Sequence, residues 1–341
     1  MVAESSDSAF TPSARCQIIA ALDCNHNGSP DLARRLIDAA REAGADGVKF
    51  LKRTISQSAV RQVLDFPAPR YNSVGSTYRK ALESTDLTVD ALASLCEQAK
   101  GLQIFMAPYD LEAFHQLDSL PFTAWKVDSP MTTHLPLLRA LGTSGRPLVA
   151  SVAGCNQREV EELLAPLSGE VTLLHTLLMY PFAAGIYDVA YLVPLRRFGR
   201  PVGYGDNSLD SSLCLAAVAF GATVIEKPLT LDRGMAGPDH ASSLTPQQLS
   251  ELVQKIRALE TVLRSEKLRQ PSPSEMDDLE WSRVSIVAAQ AIPRGTTITP
   301  EMLTLKSPCR GLSPRFLDFV LGRRAVYDLS EDEFITFGMI D

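Results

Sequence analysis

Eight short apolar segments recur along the first two thirds of the chain, at residues 17–22, 47–51, 102–106, 124–127, 147–151, 171–174, 201–204 and 223–225. Each is followed by a stretch with helical spacing. After the first, Pro30 opens a run with Leu32, Leu36, Ile37 and Ala40 on one face, and Gly44 closes it. The last run, residues 249–264, places Leu252, Ile256, Leu259 and Leu263 on one face. Regular alternation of this kind dictates a parallel sheet, and eight units close it into a (β/α)₈ (TIM) barrel of class α/β. An open doubly wound sheet is the alternative, but no GxGxxG fingerprint follows the first segment.

The texture changes beyond the barrel. Residues 1–15 are polar, without a basic n-region and apolar h-region, and read as a disordered lead-in rather than a signal peptide. Residues 16–264 form the barrel. Residues 265–281, rich in Pro, Ser and charge, read as a linker. Residues 282–341 form a small β-rich unit with strands expected at 284–289 and 296–298 and a short helix at 317–321. Inside the barrel, the polar segment 52–86 carries Tyr71, Asn72, Tyr78 and Arg79, and a loop of that length is expected to be a lid or a disordered excursion. A net charge of −7 argues against nucleic acid or an anionic membrane as a partner. No apolar run reaches the length of a membrane span. The six cysteines are scattered with no CxxC pair, which points to reduced thiols and a cytoplasmic location.

Chemistry is expected where the eighth strand ends. Glu226, Lys227, Asp232, Arg233, Asp239 and His240 follow its apolar core within fifteen residues. Charge released at the C-terminal end of a buried strand is how parallel barrels present a site. A merely solvated loop is the competing reading.

The same stretch resembles the sialic acid synthase family, which condenses phosphoenolpyruvate with an aldehyde sugar. The match lies in Gly203-Tyr204 with Asp206, Ile225-Glu226-Lys227, Thr230-Leu231-Asp232-Arg233 and Gly237-Pro238-Asp239-His240. It extends through Asn25-His26-Asn27-Gly28, Val48-Lys49-Phe50, Trp125-Lys126-Val127 with Ser129, and Tyr180-Pro181. In the last unit, Pro308-Cys309-Arg310-Gly311 and Leu321-Gly322-Arg323 resemble the family's antifreeze-like (SAF) domain.

That resemblance implies catalytic roles for Lys49, Lys126, Lys227 and Glu226. It implies substrate contacts for Lys49, Lys126, Ser129, Tyr180, Asp206, Asn207, Asp239 and His240. The family's arginine that reaches a partner's barrel in a domain-exchanged homodimer is replaced by Ser307, and Arg310, three residues on, is the candidate to take its place. It also exposes departures. Asn207 and Pro228 stand where the family has its two metal-binding histidines, so no metal cofactor is expected: an amide oxygen is a weak ligand and a proline side chain is none. Ala21 and Met131 replace acidic residues, and Ala107, Leu178, Gly205, Leu51 and Ser307 replace other polar ones. The ligand is expected to be a small anionic or sugar molecule. The implied function is a metal-independent condensation of a three-carbon acid, phosphoenolpyruvate or pyruvate-like, with an aldehyde sugar. A lysine Schiff-base enzyme is one alternative, with Lys126 first choice because Trp125 and Val127 flank it. A non-catalytic sugar- or partner-binding relative is the other. His26, His175, His115 and His134 read as structural or capping residues.

Overall fold

The computed structural model describes residues 15–177, 188–263 and 270–341. Most of the expected lead-in, and Tyr180, Pro181 and Leu178, lie outside the described residues. The chain divides into one unit ending at Glu266 and a second beginning at Lys267.

The first unit is a closed barrel of eight parallel strands paired in sequence order. They are β1 (Gln17–Ala21), β2 (Gly47–Lys52), β3 (Gln103–Pro108), β4 (Ala124–Val127), β5 (Leu148–Ser151), β6 (Val171–Thr176), β7 (Val202–Gly205) and β8 (Val224–Pro228). The ring shuts where β1 lies parallel to β8, with Ile19 opposite Glu226 and Ala21 opposite Pro228. Helices start where the sequence supplies caps. Ser29 accepts from the Leu32 amide ahead of Pro30–Glu42, and Thr245 forms a capping box with Gln248 ahead of Pro246–Val262.

Side chains on a strand alternate between faces, so every second residue points into the barrel. Ile19, Phe105, Ala124, Val149, Leu174 and Val224 form one inward apolar layer. The alternate residues, among them Ile18, Phe50, Trp125, Tyr204 and Ile225, pack outward in the larger core shared with the helices. Two residues above the inner layer, the same face carries Lys126, Ser151, Thr176 and Glu226. The barrel is therefore plugged by hydrocarbon below and polar at its C-terminal mouth. Residues 52–86 are neither a bare loop nor an unstructured excursion. They hold helices Ile55–Ser58, Arg61–Leu64 and Tyr78–Ser84 and a 3₁₀ turn at Pro69–Tyr71.

The second unit has its own core of Ile286, Ala288, Ile292, Ile298, Val320 and Ile335. Its two-stranded antiparallel sheet pairs β9 (Ser285–Ala288) with β10 (Leu303–Lys306). The strand expected at 296–298 is reduced to an isolated bridge between Thr297 and Arg324. Part of the expected linker is a helix, Pro273–Ser282. Its capping box pairs Ser272 with Glu275, a signal present in the sequence but masked by the Pro and Ser content around it.

Candidate active site

The C-terminal mouth of the barrel holds a cavity of about 490 Å³. Its floor is the polar layer just described. At Gly205 the wall is bare backbone, because a side chain there would collide with Thr176 Oγ1. Its rim includes Gln57, Tyr71 and Tyr78 from the 52–86 segment, together with Arg53, His134 and Asp239.

Two lysines and three acids meet in the floor. Lys49 Nζ lies 3.0 Å from Asp23 Oδ2, 3.0 Å from Asp128 Oδ1 and 3.3 Å from Glu226 Oε1. Lys126 Nζ donates to Asp128 Oδ1 at 2.8 Å and to the Val127 carbonyl at 3.1 Å, and Glu226 Oε2 is 3.8 Å away. The Tyr109 hydroxyl donates to Asp128 Oδ2 at 3.0 Å. Ser129 and Ser151 share a 2.6 Å hydrogen bond beside the lysines. The two lysine side chains are 4% and 1% exposed, so these contacts replace water rather than compete with it.

Electrostatics follow from that packing. Burial alone would lower the Lys49 pKa, but Asp128, Asp23 and Glu226 outweigh it and hold the ammonium well above its usual range. Burial acts the other way on Asp128, and Lys126 and Lys49 overcome it, keeping its carboxyl well below the usual carboxylate range. Asp23 is pushed up to about 7 by burial, with Asp128 and Glu226 adding to the rise and Lys49 opposing it. The Tyr109 phenol is raised by burial and by the neighbouring Asp128.

Of the residues implicated by sequence, Lys49, Lys126, Ser129, Glu226, Asn207 and Asp239 line the cavity. Lys227, Asp206 and His240 do not. Lys227 points out of the barrel with Ile225, fully buried, and donates to Asp206 Oδ2 at 2.7 Å. Asp206 Oδ1 accepts from the Ser208 amide at 2.9 Å, and Cys214 Sγ is 3.3 Å from Oδ2. This pair ties β7 and β8 to the helix Ser212–Ala219. The difference has a simple cause: neighbours on a strand face opposite ways, so Glu226 lines the cavity and Lys227 does not. His240 is fully buried in the Pro-Asp-His loop, its Nδ1 2.7 Å from Thr230 Oγ1 and its Nε2 3.3 Å from Asn27 Oδ1. Arg310 belongs to the second unit, 3.6 Å from Glu280 and stacked 5.0 Å above the Trp281 ring.

The apolar setting expected around Lys126 is not found, because Asp128 sits against it. Asp23, Asp128 and Tyr109 were missed in the sequence, although a signal existed. Each lies two residues beyond a strand position that faces the mouth: Ala21, Lys126 and Ala107.

The positions of the family's metal histidines, Asn207 and Pro228, do face this cavity. Among the described residues, no group of three or more His, Cys, Asp or Glu side chains is arranged to hold a metal ion. The acids of the floor are turned onto lysine ammonium groups.

Residues 36–267 match the NeuB family and residues 283–341 the SAF domain. The chain is 33% identical to N,N'-diacetyllegionaminic acid synthase of Campylobacter jejuni over 331 residues, covering 93% of this chain and 98% of that one. It is 32% identical to human N-acetylneuraminate-9-phosphate synthase, covering 96% and 93%. The crystal structure of the N-acetylneuraminic acid synthetase of Leptospira borgpetersenii superposes with a TM-score of 0.68 at 26% identity, covering 78% and 91%. With two lysines held in the mouth of a closed barrel and these matches along its length, the chain belongs to the NeuB family of sialic-acid-type synthases.

Proposed function

We propose that the protein forms a carbon–carbon bond between a three-carbon acid of the phosphoenolpyruvate type and an aldehyde sugar, without a metal. The observation that carries this reading is the pair of buried ammonium groups, Lys49 and Lys126, converging on Asp128 at 3.0 and 2.8 Å in the cavity floor. Two cations held that close make a seat for an anionic acid, with Ser129 and Ser151 as further donors beside it. Asn207 and Pro228 at the cavity wall support chemistry that does not pass through a metal. Lys49, kept as an ammonium chiefly by Asp128, suits charge stabilisation and not Schiff-base formation. A cytoplasmic homodimer, with Arg310 serving the partner's barrel, belongs to the same proposal. Light scattering at micromolar concentration tests the assembly, and a monomer counts against it.

The activity is tested by ³¹P NMR of purified protein with phosphoenolpyruvate and a panel of 2-acetamido aldohexoses in chelator. Sugar-dependent release of inorganic phosphate is expected. No release with any sugar, or release only after manganese is supplied, overturns the reading.

A further inference from the structure

The floor of the cavity holds an odd charge. Lys49 and Lys126 supply two ammonium groups, while Asp23, Asp128 and Glu226 supply three carboxyl groups within 4 Å of them. An uncompensated charge in a buried cluster is costly, and the least expensive remedy is for one carboxyl to keep its proton. Contacts decide which one. Asp128 touches both ammonium groups and the Tyr109 hydroxyl, and Glu226 reaches both lysines. Asp23 touches Lys49 alone, and its Oδ1 is buried without a hydrogen-bond partner. Glu226 Oε2 is likewise without a hydrogen-bond partner but lies 3.8 Å from Lys126 Nζ, so Asp23, with one ammonium neighbour against two, is the least stable anion of the three. Cavity-lining Arg53 and Asp239 contribute opposite charges and leave the odd proton in place.

The backbone gives a second, independent indication. Asp23 has φ +27°, in the left-handed region that an L side chain rarely adopts. Strain of this kind persists where the surrounding structure over-determines it, and such positions cluster at active sites. Here it follows directly after β1 and turns the carboxyl over the cavity beside Lys49.

We infer that Asp23 is the proton donor of this site, a neutral carboxylic acid presented to the oxygen of a bound carbonyl compound. The inference rests on the condensation reading for its substrate, but not for the protonation itself. As the enol pair of the three-carbon acid forms the new carbon–carbon bond, the carbonyl π pair of the aldehyde moves onto its oxygen. That oxygen takes the proton as the O–H bond of Asp23 breaks. Asp23 is left as a carboxylate against Lys49, which stabilises it. Water adds to C2 of the three-carbon acid; one of its protons restores Asp23, and the other goes with phosphate as the bond from C2 to the phosphate oxygen breaks and C2=O forms.

Two measurements on the full chain decide it. Carboxyl NMR of protein labelled with ¹³C at aspartate Cγ should show one signal titrating at about 7, absent from Asp23→Asn. Asparagine is isosteric and tolerates positive φ, so the variant should fold. With phosphoenolpyruvate and the sugar that turns over, Asp23→Asn should lose about 100-fold or more in kcat, keep its KM, and lose the pH limb near neutrality. A purely structural role would move Tm or KM and leave the limb. If the Asp23 carboxyl titrates below pH ~5, or the variant keeps its kcat and pH profile, the inference is wrong. A wild-type protein inert with every sugar but retaining the neutral-range signal removes the condensation reading and leaves Asp23 standing as the site's acid.

Discussion

Lys126 and Asp128 stand two residues apart on one face of β4 and its extension, and Lys126 Nζ donates to Asp128 Oδ1 at 2.8 Å. The same oxygen takes Lys49 Nζ at 3.0 Å, so a single atom of Asp128 holds two cations together. Asp128→Asn should leave the ammonium groups facing each other with fewer counter-charges, at a cost of about 3–5 kcal/mol. Added phosphate should recover part of that loss by occupying the vacated seat. Thermal unfolding with and without phosphate measures both effects, and an equal phosphate response in variant and wild type would contradict the arrangement.

Lys227→Met tests the opposite assignment, a buried pair outside the cavity. Removing one partner of the Lys227–Asp206 bond at 2.7 Å should cost about 3–5 kcal/mol. Adding Asp206→Asn should recover most of it, because no unpaired charge then remains in the core. Affinity for phosphoenolpyruvate among folded molecules should not change. Calorimetric titration of the single variant showing a lost ligand site would return Lys227 to the active site.

Metal content is a third measurement. Purified protein should contain no stoichiometric manganese, zinc or iron by elemental analysis, since an amide and a proline stand at Asn207 and Pro228. Asn207→His with Pro228→His should create micromolar or tighter manganese binding that the wild type lacks. One tightly held metal per wild-type chain would refute this.

Asp23 should limit stability in a pH-dependent way. With its folded value raised to about 7 from an ordinary 3.8, the native state binds the extra proton between those limits. Stability contributed at this position is therefore full below pH ~4 and lost as pH rises through ~7. The Tm of Asp23→Asn relative to wild type should climb across that window and level off above it. Burial lowers His26 to about 4, which acts in the opposite direction in both proteins and cancels in the difference. Asp23→Gly, which relieves φ +27°, should gain about 1 kcal/mol at neutral pH while losing activity. A flat Tm difference would remove the neutral acid.

The barrel was legible because its signals are local. Apolar runs of four to six residues, helix caps such as Ser29 and Thr245, and closing glycines place all eight strands within a few residues of their observed ends. The site was legible only where a resemblance named a position. Lys49, Lys126, Ser129 and Glu226 line one cavity, whereas Lys227, Asp206 and His240 turn into the packing between strands, helix and loop. Strand parity would have separated Glu226 from Lys227. The same rule would have raised Asp23, Tyr109 and Asp128, which fell between the family's motifs. What parity could not supply is the meeting of Asp23 and Asp128 on Lys49, since that depends on barrel closure bringing β1, β4 and β8 to one ammonium.

Closure also fixes how a ligand must arrive. Lys49 Nζ already has three carboxyl groups within 3.3 Å, and Lys126 is shared between Asp128 and a carbonyl. An incoming anion therefore binds by exchange, not by filling an open seat. Its grip is the difference between what it offers the ammonium groups and what the resident carboxyls already give. A multidentate dianion competes for two ammonium groups better than a monovalent ion does. The terms of that exchange are set by the carboxyl groups already seated in the floor.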